Sequence, residues 1–357
     1  MFRLIGSIIV SCALLPVIVT ADSNTDYSHL REKGRSESRS GQFAAAAVSF
    51  NSALRALGRS DYPQRAETLA ALGDVYIGLD ELSKADRVYR ESLALYEKLD
   101  DKFQTALVLR DLGAVYSLQR RDDEALRVLQ RALKLTKSNH DARLEVEVLN
   151  VIGVVYYRQR NYNRAESFLK QALDVASSSG IHADLGELLN NLGNVYQAQH
   201  KYAEAESLLK RALTYVESGM GTSHPELIYT LSSLGGLYTA TGRYADAEAQ
   251  YQRALSILEA SQSDFDTRIA RLLHSLARTY VKAGKKPEAD ATLARAAAIA
   301  RRNLSQHTDM ASIIDDYAAL LKNQGNSKEA EELRAEARRA RVAADLVANV
   351  SGDIPVD

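Results

Sequence analysis

The chain has 357 residues and balances 45 Lys plus Arg against 46 Asp plus Glu, a net charge of −1. It therefore carries no overall basic field of the kind that drives binding to nucleic acid or to an anionic membrane. Cys12 is the only cysteine, which excludes an intrachain disulfide and leaves no thiolate zinc site or Cys nucleophile once the segment that carries it is removed.

That segment comes first in the chain. Arg3 precedes an apolar run from Leu4 to Leu15, Pro16 closes it, and Val19-Thr20-Ala21 places small residues before Asp22. This is the pattern of a secretory signal peptide over residues 1–21, cleaved after Ala21. A membrane anchor through residues 4–19 is the alternative, though that stretch falls short of the roughly 20 residues a spanning helix needs. Ile9-Val10-Ser11-Cys12 also has the form of a lipoprotein processing box, but the apolar run continues beyond it. An exported chain without cysteine points to the bacterial periplasm or the extracellular space.

From residue 27 to residue 345 the sequence repeats itself. Leu72-Gly73…Tyr76 returns as Leu112-Gly113…Tyr116, Ile152-Gly153…Tyr156, Leu192-Gly193…Tyr196, Leu234-Gly235…Tyr238 and Leu276-Ala277…Tyr280, at steps of 40, 40, 40, 42 and 42 residues. Tyr317-Ala318…Leu321 follows after 41 more, and Gly34, Gly41, Phe43, Ala46, Phe50 and Ala53 place a further copy at the start. Nine residues after each Tyr stands an Ala (Ala85, Ala125, Ala165, Ala205, Ala247, Ala289), and seven later another small residue (Ser92, Ala132, Ala172, Ala212, Ala254, Ala296). Spacings of three, four and seven are helical, so each copy predicts two helices, and a period near 40 predicts a stack whose members bury one another. The mid-helix Gly costs about 1 kcal/mol relative to Ala. Its recurrence predicts a close approach by the small Ala of the second helix. Gly242-Arg243-Tyr244 and its equivalents mark turns within a copy, and clusters such as Ser177-Ser178-Ser179-Gly180 mark loops between copies. Pro225 and Pro287 stand where helices begin.

Leu-Gly-x-x-Tyr followed by two small residues resembles the tetratricopeptide repeat, and Gly221-Thr222-Ser223-His224-Pro225-Glu226 through Leu255 resembles the longer variant of kinesin light chains. The resemblance implies an all-α solenoid of about eight antiparallel helix pairs forming a right-handed superhelix, with repeats near 27–60, 66–100, 106–139, 146–179, 186–219, 228–261, 270–303 and 311–345. The charged segment Glu331 to Arg341 reads as a C-terminal capping helix, and residues 350–357 read as a disordered tail.

The motifs of chemistry are missing. Gly284-Lys285-Lys286-Pro287 lacks the first Gly and the hydroxyl of a phosphate loop, and there is no His-Glu-x-x-His, Gly-x-Ser-x-Gly or dinucleotide loop, so no enzyme, no cofactor and no small-molecule substrate is expected. His140, His182 and His224 recur near repeat boundaries, but no carboxylate or thiol completes a ligand set, and they read as loop residues.

Function is expected on a shared surface. Positions five and two before and two and five after the signature Leu form one stripe on each first helix. They are Glu147, Asn150, Val154 and Tyr157; then Glu187, Asn190, Asn194 and Gln197; then Tyr229, Ser232, Gly236 and Thr239; then Arg271, His274, Arg278 and Val281. The resemblance implies a concave groove in which Asn150, Asn190 and Asn194 grip the main chain of an extended peptide. Arg110, Arg158, Arg271 and Arg278 suit carboxylates through bidentate bonds. The expected partner is thus a protein or peptide segment bearing acidic residues, with no nucleic acid, and with membrane contact only through a retained leader. A self-associating component of an envelope assembly and an accessory to a separately encoded enzyme are the alternatives.

Overall fold

A computed structural model describes residues 23–58, 60–182, 184–260, 266–304 and 310–350. The signal peptide or anchor read from residues 1–21, Cys12 with it, and tail residues 351–357 lie outside the described residues. Those described form sixteen helices and no strand: α1 (Ser23–Arg39), α2 (Phe43–Ala56), α3 (Tyr62–Gly78), α4 (Leu82–Lys98), α5 (Lys102–Leu118), α6 (Asp122–Ser138), α7 (Ala142–Arg158), α8 (Tyr162–Ser178), α9 (Leu185–Ala198), α10 (Tyr202–Met220), α11 (Leu227–Ala240), α12 (Tyr244–Ala260), α13 (Asp266–Lys282), α14 (Lys286–Asn303), α15 (Ala311–Asn323) and α16 (Ser327–Val350). None is long and apolar enough to cross a membrane.

The helices fall into two compact units, one ending at Lys201 with α9 and one beginning at Tyr202 with α10. In the first unit α1–α2, α3–α4, α5–α6 and α7–α8 pair, each pair packs on the next, and first helices also meet first helices, as α5 meets α7. The second unit repeats the scheme with pairs α11–α12, α13–α14 and α15–α16. Each helix thus touches only neighbours close in sequence, the arrangement of a solenoid.

The signature Gly explains the tightness of a pair. A Cβ on Gly113 would lie 2.5 Å from the Leu129 side chain, and one on Gly73, Gly153 or Gly235 would strike Tyr89, Leu169 or Tyr251 at 2.5 to 2.7 Å. The nearest neighbour is therefore the bulky residue four places beyond the Ala, with the Ala165 carbonyl next at 3.5 Å from the Gly153 position. Ala85, Ala125, Ala165 and Ala205 are fully buried all the same.

Turns inside each pair end the first helix in one manner. The carbonyl of Tyr76, Tyr116, Tyr156, Tyr196, Tyr238 and Tyr280 accepts from the amide five residues on, at 2.8 to 2.9 Å. The residue before that amide is left-handed: Asp80, Arg120, Arg160 and His200 in the first unit, Gly242 and Gly284 in the second, where Gly325 does the same before the Asn326 amide that bonds the Leu321 carbonyl. This six-to-one bond with a left-handed residue satisfies the orphan carbonyls of a helix end. His140 and Asp100 do the same between pairs. His224 has a different task, its Nδ1 accepting from the Glu226 amide at 3.2 Å before α11.

Adjacent pairs are clasped on the second-helix side. Glu166 accepts from the Tyr196 hydroxyl (3.3 Å), Lys201 (3.2 Å) and Lys170 (2.7 Å). Glu206 does so from Tyr238 (3.2 Å), Arg243 (2.9 Å) and Lys210 (2.8 Å), and Glu248 from Tyr280 and Lys285, both at 2.8 Å. In each clasp the cation also lies over the Tyr ring, Arg243 at 4.2 Å from the Tyr238 centroid.

Candidate binding surface on the first helices

The middle first helices of the first unit are enclosed nearly all round. Every residue of α5 from Thr105 to Ser117 is buried, and α7 is buried on most of its length from Leu144 to Tyr156. A helix buried on all sides must pair its polar side chains internally. Arg110 on α5 donates to Asp111 from Nε at 2.8 Å and to Glu147 on α7. Asn150 on α7 donates to Glu187 on α9 at 3.0 Å and accepts from Asn191 at 2.9 Å. Arg158 donates to Ser117 at 3.1 Å, and on α3 Asp74 accepts from the Tyr89 hydroxyl of α4. A ladder of polar bonds therefore runs across α5, α7 and α9, while Asp74 on α3 bonds to its own partner helix α4.

Its electrostatics follow from one guanidinium facing three carboxylates. Burial lifts the Asp74 carboxyl well above the usual range, and the repulsion of Asp111 adds to this. Burial likewise outweighs Arg110 and leaves Asp111 and Glu147 raised. Arg110 itself loses to burial but gains more from Asp111 and Glu147, so its proton is held more firmly than usual.

The predicted stripe thus divides. Arg110, Asn150, Glu187 and Asn190 are buried, at 4 to 7 % exposure, and Glu147 is nearly so. The Arg110–Glu147, Asn150–Glu187, Asn150–Asn191 and Arg158–Ser117 bonds tie first helix to first helix, because residues on this face look directly at the next copy. Tyr157, Asn194 and Gln197 are half-buried, with the Tyr157 ring tilted on Tyr162 at 5.6 Å. In the second unit Tyr229, Arg271 and His274 are half-buried and Arg278 is exposed. His274 Nε2 contacts Asp316 at 2.7 Å, and Thr239 meets Thr279 at 2.8 Å between α11 and α13.

Three participants lie outside the stripe that the spacing picked out, whereas Asp74, two places after Leu72, falls on it. Asp111 and Asn191 join the ladder of the first unit. Arg268, one helical step before Arg271, is drawn to Tyr229 while burial weakens its hold on its proton. The adjacency of Arg110 to Asp111 and of Asn190 to Asn191 was the available signal for two of them.

Comparison with known proteins decides the family. The MalT-like TPR region model matches residues 35–220, and tetratricopeptide repeat models match residues 184–260 and 269–309. The chain belongs to the tetratricopeptide repeat family. Solved structures resemble this tetratricopeptide repeat protein at the level of the fold. A Rap protein complexed with competence and sporulation factor is 16 % identical with a TM-score of 0.63, covering 81 % of this chain and 78 % of that one. Aspartyl phosphate phosphatase F from Bacillus subtilis is 16 % identical at a TM-score of 0.64, covering 80 % and 72 %. A tetratricopeptide repeat protein from Parabacteroides merdae is 17 % identical at 0.52, covering 88 % and 99 %. No curated protein matches by sequence.

Proposed function

We propose that this tetratricopeptide repeat protein is a non-catalytic scaffold that binds an extended protein segment along its first helices, and that the segment carries carboxylates. The observation that carries this reading is on α13, where Arg271, His274 and Arg278 follow at three and four residues and so share one face, with Arg278 exposed. Guanidinium groups in such a row suit the carboxylates of an extended chain. Half-buried Asn194 and Gln197 on α9 offer paired donors and acceptors for a main chain. The Rap protein crystallised with competence and sporulation factor supports a protein or peptide ligand as the class. The place of action is proposed outside the cytoplasm, on the sequence of residues 3–21 alone.

The test is affinity capture with Arg271→Glu/Arg278→Glu and with Asn194→Ala/Gln197→Ala, each checked for unchanged helicity. The arginine reversal is expected to lower recovery of the partners identified by mass spectrometry by about ten-fold or more, the worth of one charge-assisted bond. Recovery equal to wild type in both variants would overturn the reading.

A further inference from the structure

Two junctions lack the carboxylate that the clasps use, and at one of them its place is left open. The carboxylate of each clasp directly follows the first Ala of a second helix, as Glu166, Glu206 and Glu248, and Asp86 holds the same place, bonded to Arg121 at 2.8 Å. On α2 that position is Ala47. The Tyr it would serve, Tyr76 on α3, meets Asn51 Nδ2 at 3.4 Å, a bond in which its hydroxyl is the acceptor. The turn residue five beyond Tyr76 is Glu81 where the clasps have Lys201, Arg243 and Lys285, and Lys84 instead lies over the ring at 5.4 Å. In place of a carboxylate there is an open cleft of about 400 Å³, bordered by Ala47, Asn51, Arg55, Tyr76, Glu81 and Lys84.

The other junction without an acid is not comparable. Leu126 stands there, but Phe168 stacks on Tyr156 at 5.4 Å and Arg164 donates to its hydroxyl at 3.2 Å, so the place is filled.

We propose that the cleft between α2 and the α3–α4 turn receives an Asp or Glu side chain of a protein partner, which occupies the position that Glu166, Glu206 and Glu248 fill elsewhere. The Tyr76 hydroxyl donates to the incoming oxygen, as Tyr196, Tyr238 and Tyr280 do in the clasps. Lys84 keeps donors to spare beyond its 2.8 Å pairing with Glu81, and Arg55, bonded to Ser52 at 2.9 Å, adds a second cation, so the rim carries two positive charges against one negative. The source is a protein side chain and not a small acid, because the cleft is open and cannot enclose most of a free ligand. Lying on the second-helix side, the site is independent of the first-helix reading, and the failure of either leaves the other standing.

The test is an amide-resolved NMR titration of the full chain with N-acetylglutamate N-methylamide, its glutamine counterpart and free glutarate. With wild type the glutamate probe is expected to give saturable shifts at Asn51, Tyr76 and Lys84, with the glutamine probe about ten-fold weaker. Ala47→Glu supplies the carboxylate from within, so it should abolish these shifts and raise the thermal midpoint. Tyr76→Phe and Lys84→Gln, which keep the packing, should weaken the glutamate probe without its rescue by glutamine. Absence of saturable shifts, equal response to glutamine, or full binding in the Ala47→Glu or Tyr76→Phe protein would each overturn the proposal, and tighter binding of glutarate would overturn the protein source.

Discussion

At Gly113 two opposing effects can be weighed against each other. Replacing a mid-helix Gly by Ala gains about 1 kcal/mol in helix propensity, but here the new Cβ would sit 2.5 Å from the fully buried Leu129. Overpacking of a full core costs about 1–3 kcal/mol, so Gly113→Ala is expected to destabilise on balance, read as a lower urea midpoint at unchanged slope. Adding Leu129→Ala should cost less in the Gly113→Ala background than in wild type, since the two share one space. Arg120 gives the opposite case. It is exposed and held at φ 64°, where L-residues are strained by about 1–2 kcal/mol. Gly occupies the equivalent positions 242, 284 and 325 without that strain. Arg120→Gly should therefore stabilise by about 1 kcal/mol, once the lost chain entropy of Gly is subtracted. A thermal midpoint lower than wild type would contradict this account of the turn.

Between elements, the clasps make adhesion depend on pH. Burial alone would raise the Glu166 carboxyl, yet hydrogen bonds from Lys170, Gln199 and Lys201 bring it down to about 2. Glu206 is lowered chiefly by Lys210 and Glu248 chiefly by Lys285. A carboxyl whose folded pKa lies below its unfolded value binds fewer protons when folded. Its stabilisation is present above about pH 4.5 and is lost as pH falls toward about 2. Partial exposure and salt screening reduce the worth of the pairing to about 1 kcal/mol. Glu166→Gln is accordingly expected to lower the denaturation midpoint at pH 7 and to flatten its decline between pH 5 and pH 2. A decline as steep as wild type would show that other groups carry the acid sensitivity. The acid of each clasp was visible in the sequence one place after the Ala, and its turn cation five after the Tyr. They were missed because a charge on an amphipathic second helix reads as solvent-facing, and its partner lies in another repeat.

Across the molecule, what the sequence revealed depends on how local the cause is. Helix pairing rests on Leu, Gly, Tyr and Ala at fixed intervals and on neighbours about 40 residues apart, so the all-α repeat architecture could be read directly. The state of the first-helix stripe could not, because periodicity assigns Arg110 and Asn150 to a face without saying how near the next first helix comes. That nearness puts a surplus of carboxylates in the interior. Arg110 neutralises only part of Asp111 and Glu147, and Asp74, burdened first by burial and then by the repulsion of Asp111, carries its charge at a cost that the Tyr89 bond only partly offsets. The sign is the reverse of the clasps: a folded pKa above the unfolded value means that the folded state binds more protons, and stability declines as pH rises through the raised value. Asp74→Asn keeps an acceptor for Tyr89 and removes the charge. It should therefore exceed wild type in urea midpoint at pH 8, and this advantage should shrink or reverse by pH 4, where wild-type Asp74 holds its proton. Equal destabilisation at both pH values would mean that the Tyr89 contact, and not charge, decides the behaviour of this position.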